Sequence, residues 1–345
     1  MKFVVILCLI IALAIPVSAL DLEPPPVPEA GEKYIPPDTE SFSEGLLYVI
    51  KTVLKDITPC INDAAGGCLS LICIVLLTSI LGGFSGIATK LVTLSSVLAV
   101  GIILLSPSNS LINLASDAVK DFSQYGKLLI PVMTAALAAQ GGTSSSAAIY
   151  TGSVMFCTIL STLLSKIIIP LIYVYLALSI ASAAIEEDVI KNLKKFVMWL
   201  ITWSLKIMLY VFSGYMGITK IVTGSVDASA LRATKLTISG MIPVVGKILS
   251  DSSEAIIVGA GVVKNSIGIY GLLAISSLLV GPVMQIGVQH LILKLTASVC
   301  SVFGVKKACG LIMDFSKSMA VLLGVIGMMA LFLMISVVCL MKGVS

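Results

Sequence analysis

The chain has 345 residues, 58% of them hydrophobic and only 12% charged, with a mean hydropathy of +1.10 and a formal charge of +4. Soluble domains carry about 25% charge, so this chain has too little polar surface to face water on every side, and lipid must cover much of it. One arginine, Arg232, and no basic stripe interleaved with aromatics exclude phosphate-backbone binding, so no nucleic-acid partner is expected.

Met1 to Ala19 reads as a signal peptide: Lys2, an apolar run from Phe3 to Ile15, Pro16 as helix stop, and Val17-Ser18-Ala19 with cleavage after Ala19. The run is shorter than the roughly 20 residues of a membrane span. Residues 20–66 form an extracytoplasmic part. A Pro-rich acidic linker, expected to be extended and mobile, leads into an amphipathic helix from Phe42 to Ile57 that Pro59 ends. Nine of the eighteen acidic residues lie between Asp21 and Asp63.

The remainder is all-α, a polytopic helical membrane protein with about 7–9 hydrophobic segments, near 68–83, 87–106, 128–139, 147–165, 167–184, 197–219, 255–277, 278–293 and 318–341. Residues 67–110 supply two N-terminal membrane helices. Lys191, Lys194 and Lys195 form one basic cluster and Lys306, Lys307 and Lys317 another, both expected in the cytoplasm. A cleaved signal leaves the mature N-terminus extracytoplasmic, which requires an odd number of crossings before Lys191.

An internal match runs at an offset of 112 residues: Ile130-Pro131-Val132 with Ile242-Pro243-Val244, Pro170 with Pro282, and Lys194-Lys195 with Lys306-Lys307. Thr143–Ile149 aligns with Ser250–Ile256 across a five-residue gap. The match reads as a duplication, with repeat 1 over 111–226 and repeat 2 over 227–345. Two cytoplasmic lysine pairs would make the repeats parallel.

Function is sought where polarity interrupts apolar sequence. In each repeat a short apolar segment precedes a Ser-rich stretch, and segments of about 10–14 residues suit re-entrant or broken helices. Pro131, Pro170, Pro243 and Pro282 are the expected helix breaks. Gln140, Ser144, Ser145 and Ser146, with Asp251, Ser252, Ser253 and Glu254, then line a polar path or simply form two extramembrane turns. Lys206 and Lys264 lie within apolar runs and either face that path or snorkel to the headgroups.

Eight cysteines form no CxxC pair, and Cys60 and Cys68 read as a disulfide or as small hydrophobes. His290, alone of its kind, reads as a polar residue in an apolar helix near Gln285 and Gln289. No Walker A, HExxH, GxSxG or haem motif is present, so no enzyme, cofactor or metal site is expected.

KLLIPVMTAALAAQGGTSSSAAIYTGSV and, above all, MIPVVGKILSDSSEAIIVGAGVVKNSIGIYG at 241–271 resemble the stage III sporulation protein AE family of endospore-forming bacteria, over essentially the whole mature chain. The resemblance implies a component of the mother-cell to forespore channel in the mother-cell-derived outer forespore membrane. Its implied partners are the other stage III sporulation A-operon membrane proteins, a secretion-type ATPase and a forespore membrane partner, and a homo-oligomer is compatible with it. It brings no catalytic residues. The alternative is a stand-alone permease moving small polar solutes past the duplicated Ser-rich breaks.

Overall fold

A computed structural model describes residues 23–36, 42–82, 87–139, 143–185, 187–212, 214 and 245–341, with the side chains of 87–89, 143–149, 245–264 and Asp63 left out. Ala19, Gln140, Pro243 and the lead-in to the second repeat lie outside the described residues, as does the signal peptide. Every described element is helical: α1 (Glu29–Glu32), α2 (Phe42–Leu81), α3 (Ile87–Ala139), α4 (Thr143–Leu163), a π turn (Leu164–Ile168) leading into α5 (Ile169–Ala184), α6 (Asp188–Phe212), α7 (Val245–Ser301) and α8 (Lys306–Met341). Six of the helical runs are long and apolar enough to cross a membrane, with α4, the π turn and α5 forming one run.

Six candidate spans replace the nine hydrophobic segments because neighbouring segments fuse. Residues 42–57 and 68–83 join into the 40-residue α2, straight through Pro59. The 53-residue α3 absorbs 87–106 and 128–139 and carries Pro107 and Pro131 inside it. The 57-residue α7 absorbs 255–277 and 278–293 and continues through the buried Pro282. Proline removes one hydrogen bond and crowds the preceding turn, but neighbouring helices can hold such a helix together. Pro170 sits at the start of α5, just past the π turn, where its missing N–H costs little. The boundaries drawn at 66/67 and 110/111 fall inside α2 and α3.

The Ser-rich stretches also part company. α3 is described to Ala139 and Thr143–Ser146 open α4, with residues 140–142 outside the described residues. Residues 250–254 instead lie inside α7.

Packing sets the register. α2 runs parallel to α7: the Cβ position of Gly45 faces Leu273, Cys68 bonds Thr296 at 2.7 Å, and Ser79 donates to the Phe303 carbonyl at 2.9 Å. α3 runs back antiparallel, with Gly126 against Leu333 and Gly271 against Leu129. α4 and α5 run antiparallel to α3, through Ser123–Ser161 at 3.2 Å and Tyr173–Asn109 at 2.7 Å. α6 runs parallel to α8, joined by Lys194–Asp314 and Phe212–Phe332. The α2–α3, α5–α6 and α7–α8 connections therefore share one end of the bundle, and both lysine pairs lie at that end. Among the described residues, α6 and α7 lie between the two pairs.

The lead segment is not extended. Pro25, Gly31 and Pro36 are buried, and α1 packs on α7 near Ser277 and Leu278. Gly31 permits this approach, since a Cβ there would come within 2.9 Å of the Ser277 Oγ. Proline lowers the entropy lost on docking, so few contacts suffice to hold the segment.

Candidate functional site

The most unusual chemistry among the described residues is a buried carboxylate on the most apolar helix. Asp314 lies two turns into α8, its side chain 10% exposed. Its Oδ2 accepts from Lys194 Nζ of α6 at 2.6 Å, and its Oδ1 accepts from the Tyr175 hydroxyl of α5 at 3.2 Å and from Lys317 Nζ at 3.2 Å. Lys194 is itself only 18% exposed, whereas Lys317 is 57% exposed. Three helices thus meet at one acid, and two ammonium groups oppose a single negative charge.

Taking an ion pair out of water costs several kcal/mol per ion, and only close geometry with further hydrogen bonds offsets it. Here both carboxylate oxygens are used. The arrangement supplies no nucleophile and no pair of separated acids, so what it does is hold the Lys194 and Lys317 ammonium groups against one carboxylate. Structurally it fastens the start of α6 to α8. The other end of α6 is fastened by Phe212, packed in a triad with Phe156 of α4 (tilted, 4.9 Å between ring centroids) and Phe332 of α8 (edge-on, 4.6 Å).

His290 of α7 meets the same stretch of α8 through Ser316, two residues past Asp314. Its Nδ1 lies 2.8 Å from the Ser316 carbonyl and 3.0 Å from Ser316 Oγ, and that hydroxyl donates to the His290 carbonyl at 3.0 Å. The histidine is a polar clamp between α7 and α8, its partner being Ser316 rather than Gln285 or Gln289. Cys60 and Cys68 are free thiols, with Cys68 spent on Thr296.

A second polar cluster ties α1 to α2: Lys33 and the Tyr34 hydroxyl both donate to Asp56 Oδ2, the latter at 3.0 Å. Burial, then the Asp56 hydrogen bond, pushes the Tyr34 phenol above its usual range. The Lys33 ammonium is raised chiefly by its hydrogen bond to Asp56.

Of the polar residues singled out by sequence, Lys206 alone has a described side chain, and it joins neither cluster. Ser144, Ser145 and Ser146 open α4, while Asp251, Ser252, Ser253, Glu254 and Lys264 lie along α7; their side chains are outside the described residues. Lys206 is exposed on α6, six residues before Phe212, within reach of the helix end. From sequence alone Asp314 offers itself only as a possible partner for Lys206 or Lys264. Its real partners come from residues 139 and 120 positions away, which no local pattern reveals. The one available signal was an acid inside an otherwise apolar segment.

The comparisons with known proteins agree with this architecture. The profile of the stage III sporulation protein AE family matches residues 40–343. The chain is similar to the stage III sporulation protein AE of Bacillus subtilis (strain 168), 24% identical over 225 residues, covering 65% of this chain and 56% of that protein. It thus matches little more than half the length of that relative. No solved structure matches. With the family profile spanning nearly all of the described bundle, the chain belongs to the stage III sporulation protein AE family and is a multi-pass helical membrane protein of sporulation.

Proposed function

We propose that this protein is a non-enzymatic membrane component of the mother-cell to forespore channel or secretion apparatus, required for forespore development. The observation that carries the reading is the family match over residues 40–343 coinciding with six candidate spans. In this reading the protein sits in the mother-cell-derived outer forespore membrane. It works with the other stage III sporulation A-operon membrane proteins, a secretion-type ATPase and a forespore membrane partner. Energy comes from the ATPase, since this chain carries no nucleotide motif.

The shared lysine end supports an orientation. Lys191, Lys194, Lys195, Lys306 and Lys307 gather at one end of the bundle, which the positive-inside bias assigns to the mother-cell cytoplasm. The Phe42 end of α2 and α1 are then extracytoplasmic, and three candidate spans precede Lys191, an odd number. α1 offers partners a docked surface rather than a free tail.

Deletion of the gene tests the function: spore formation should arrest after engulfment and be restored by the intact chain. Normal spores from the deletion strain would sink the reading. Cysteine accessibility tests the orientation: cysteines placed beside Lys195 and Lys307 should label from the same side.

A further inference from the structure

By composition α7 is weakest over residues 276–282, Ser-Ser-Leu-Leu-Val-Gly-Pro. Serines, a glycine and a proline within two turns are the features at which helices kink. Pro282 has no N–H, so the Leu278 carbonyl loses its partner one turn along the helix. Gly281 beside it is a poor helix former. Ser276 and Ser277 donate to the Leu272 and Ala274 carbonyls, both at 2.8 Å, so neither hydroxyl serves Leu278. Such back-bonding itself loosens and bends a helix.

The two flanks of this turn are anchored separately. Toward the start of α7, Gly268 packs on Met341 of α8, Gly271 on Leu129 of α3, and Leu273 against Gly45 of α2. Toward its end, His290 bonds Ser316 of α8 and Thr296 bonds Cys68 of α2. α1 lands on the stretch between. Gly31 sits against Ser277 and Leu278, where an added Cβ would come within 2.9 Å of the Ser277 Oγ and 3.1 Å of a Leu278 methyl. The Tyr34 ring lies 3.6 Å from the Cβ position of Gly281. The same Tyr34 donates its hydroxyl across to Asp56 of α2 at 3.0 Å, and Lys33 joins it there. One short segment thus touches the weak turn of α7 and is fastened to the helix beside it.

The attachment is firm enough to hold and light enough to undo. Pro25 and Pro36 are buried near the two ends of the segment, and their fixed φ lowers the entropy that docking costs. Val27 and Ile35 pack on the core from outside without belonging to it. The polar contacts converge on Asp56, whose side chain is a third exposed. The segment can therefore leave while the packing of α7 on α8 stays in place.

We propose that α1 is a strap across a hinge in α7: docked, it holds the Leu278–Pro282 turn closed, and undocked, it lets the two halves of α7 move separately. This device is independent of the channel reading and of where the bilayer lies. It couples the N-terminal lead to the shape of the helix around which α2, α3 and α8 pack. Opening is local, since the anchors on both sides of the turn stay made.

The test is amide hydrogen exchange of the full chain in detergent micelles, read by mass spectrometry of peptides from α7. Deleting residues 23–36 removes the strap outright, and Gly31→Leu lifts it by blocking the approach to Ser277. Exchange over residues 278–287 should rise about tenfold or more in the deletion chain, and in the same direction in Gly31→Leu, while residues 291–301 stay within about twofold of the intact chain. No change over 278–287 on deletion overturns the proposal, because the turn then holds without α1. An equal rise along all of α7 and α8 overturns it as well, since α1 would then be a general support of the bundle. If Gly31→Leu leaves residues 23–36 as protected as in the intact chain, the deletion result alone decides.

Discussion

The two helical hairpins that match in sequence at an offset of 112 residues, α4–α5 with α6 and α7 with α8, have unequal places in the bundle. In α7 and α8, 56% of the most apolar window is buried within the protein; in α4–α5 the share is 33%, and in α6 only 17%. Both hairpins turn at the same end, and both carry a lysine pair near that turn. Yet α7 and α8 are the core around which the rest assembles, while α6 buries only a narrow face, with Val197, Ile201 and Phe212, and turns the rest outward. Periodicity and prolines report the chain's path through the membrane. They do not report whether lipid or protein covers a helix, because both coverings are apolar.

The largest effect that would break this comparison lies where the hairpins meet. Asp314→Ala should strand Lys194, which is 18% exposed, and lower stability by about 3–5 kcal/mol, the cost of an uncompensated buried charge. Replacing the set together, as Asp314→Leu with Lys194→Met, should recover most of that loss, since an apolar substitute for a buried pair is commonly neutral. Denaturation of the detergent-solubilised protein measures both. If the double variant is no better than the single one, the site is not a pair between α6 and α8.

Next in size are the glycines that let α3 approach the core. A Cβ on Gly126 would come 2.6 Å from a Leu333 methyl and 3.4 Å from the Cys157 sulfur. Gly126→Ala should therefore cost about 1–3 kcal/mol through overpacking. At Gly287, also on a core helix, nothing lies within 4 Å of the added atom, so Gly287→Ala should be neutral or stabilise by up to about 1 kcal/mol through helix propensity. Thermal unfolding of the two variants side by side decides whether the close packing is specific to α3 against α8.

On the exposed rim the effect should shrink again. Trp203→Ala removes a ring that is half exposed and stacked only on Trp199. Its loss in detergent should be at most about 1–1.5 kcal/mol, the value of an aromatic pair. A cost as large as that at Asp314 would mean that α6 belongs to the core after all.

Much of this was legible in sequence, and the failures have physical causes. Helical class, membrane residence and the common end of the lysine clusters follow from composition and charge bias. The merging of segments was hidden because Pro59, Pro131 and Pro282 look like stops, whereas packing against neighbours carries the helix through them. Asp314 was hidden because Tyr175 and Lys194 reach it from distant sequence. Residues 111–127 read in sequence as an amphipathic lead-in to the first repeat, and the structure sets them inside the continuous α3.

The smallest effect concerns α1, the one docked element that the Pro-rich composition argued against. Its attachment rests on Lys33 and Tyr34 donating to Asp56. Both donors titrate above their usual values of 10.5 and 10.0, Lys33 through its hydrogen bond to Asp56 and Tyr34 through burial followed by that same acid. A raised folded value means that the contribution is complete below the unfolded value and is lost as pH rises through the folded one. The clamp should therefore be indifferent to pH from 7 to about 9 and loosen only above about 10. Absorbance of tyrosinate, taken as the difference between the intact chain and Tyr34→Phe, isolates this one phenol. Its midpoint should lie above 10 and fall toward 10 in Asp56→Asn, where the carboxylate no longer opposes ionisation. A midpoint at the ordinary value in the intact chain would show that α1 is a free tail, and the linker would then be the extended segment that its prolines suggest.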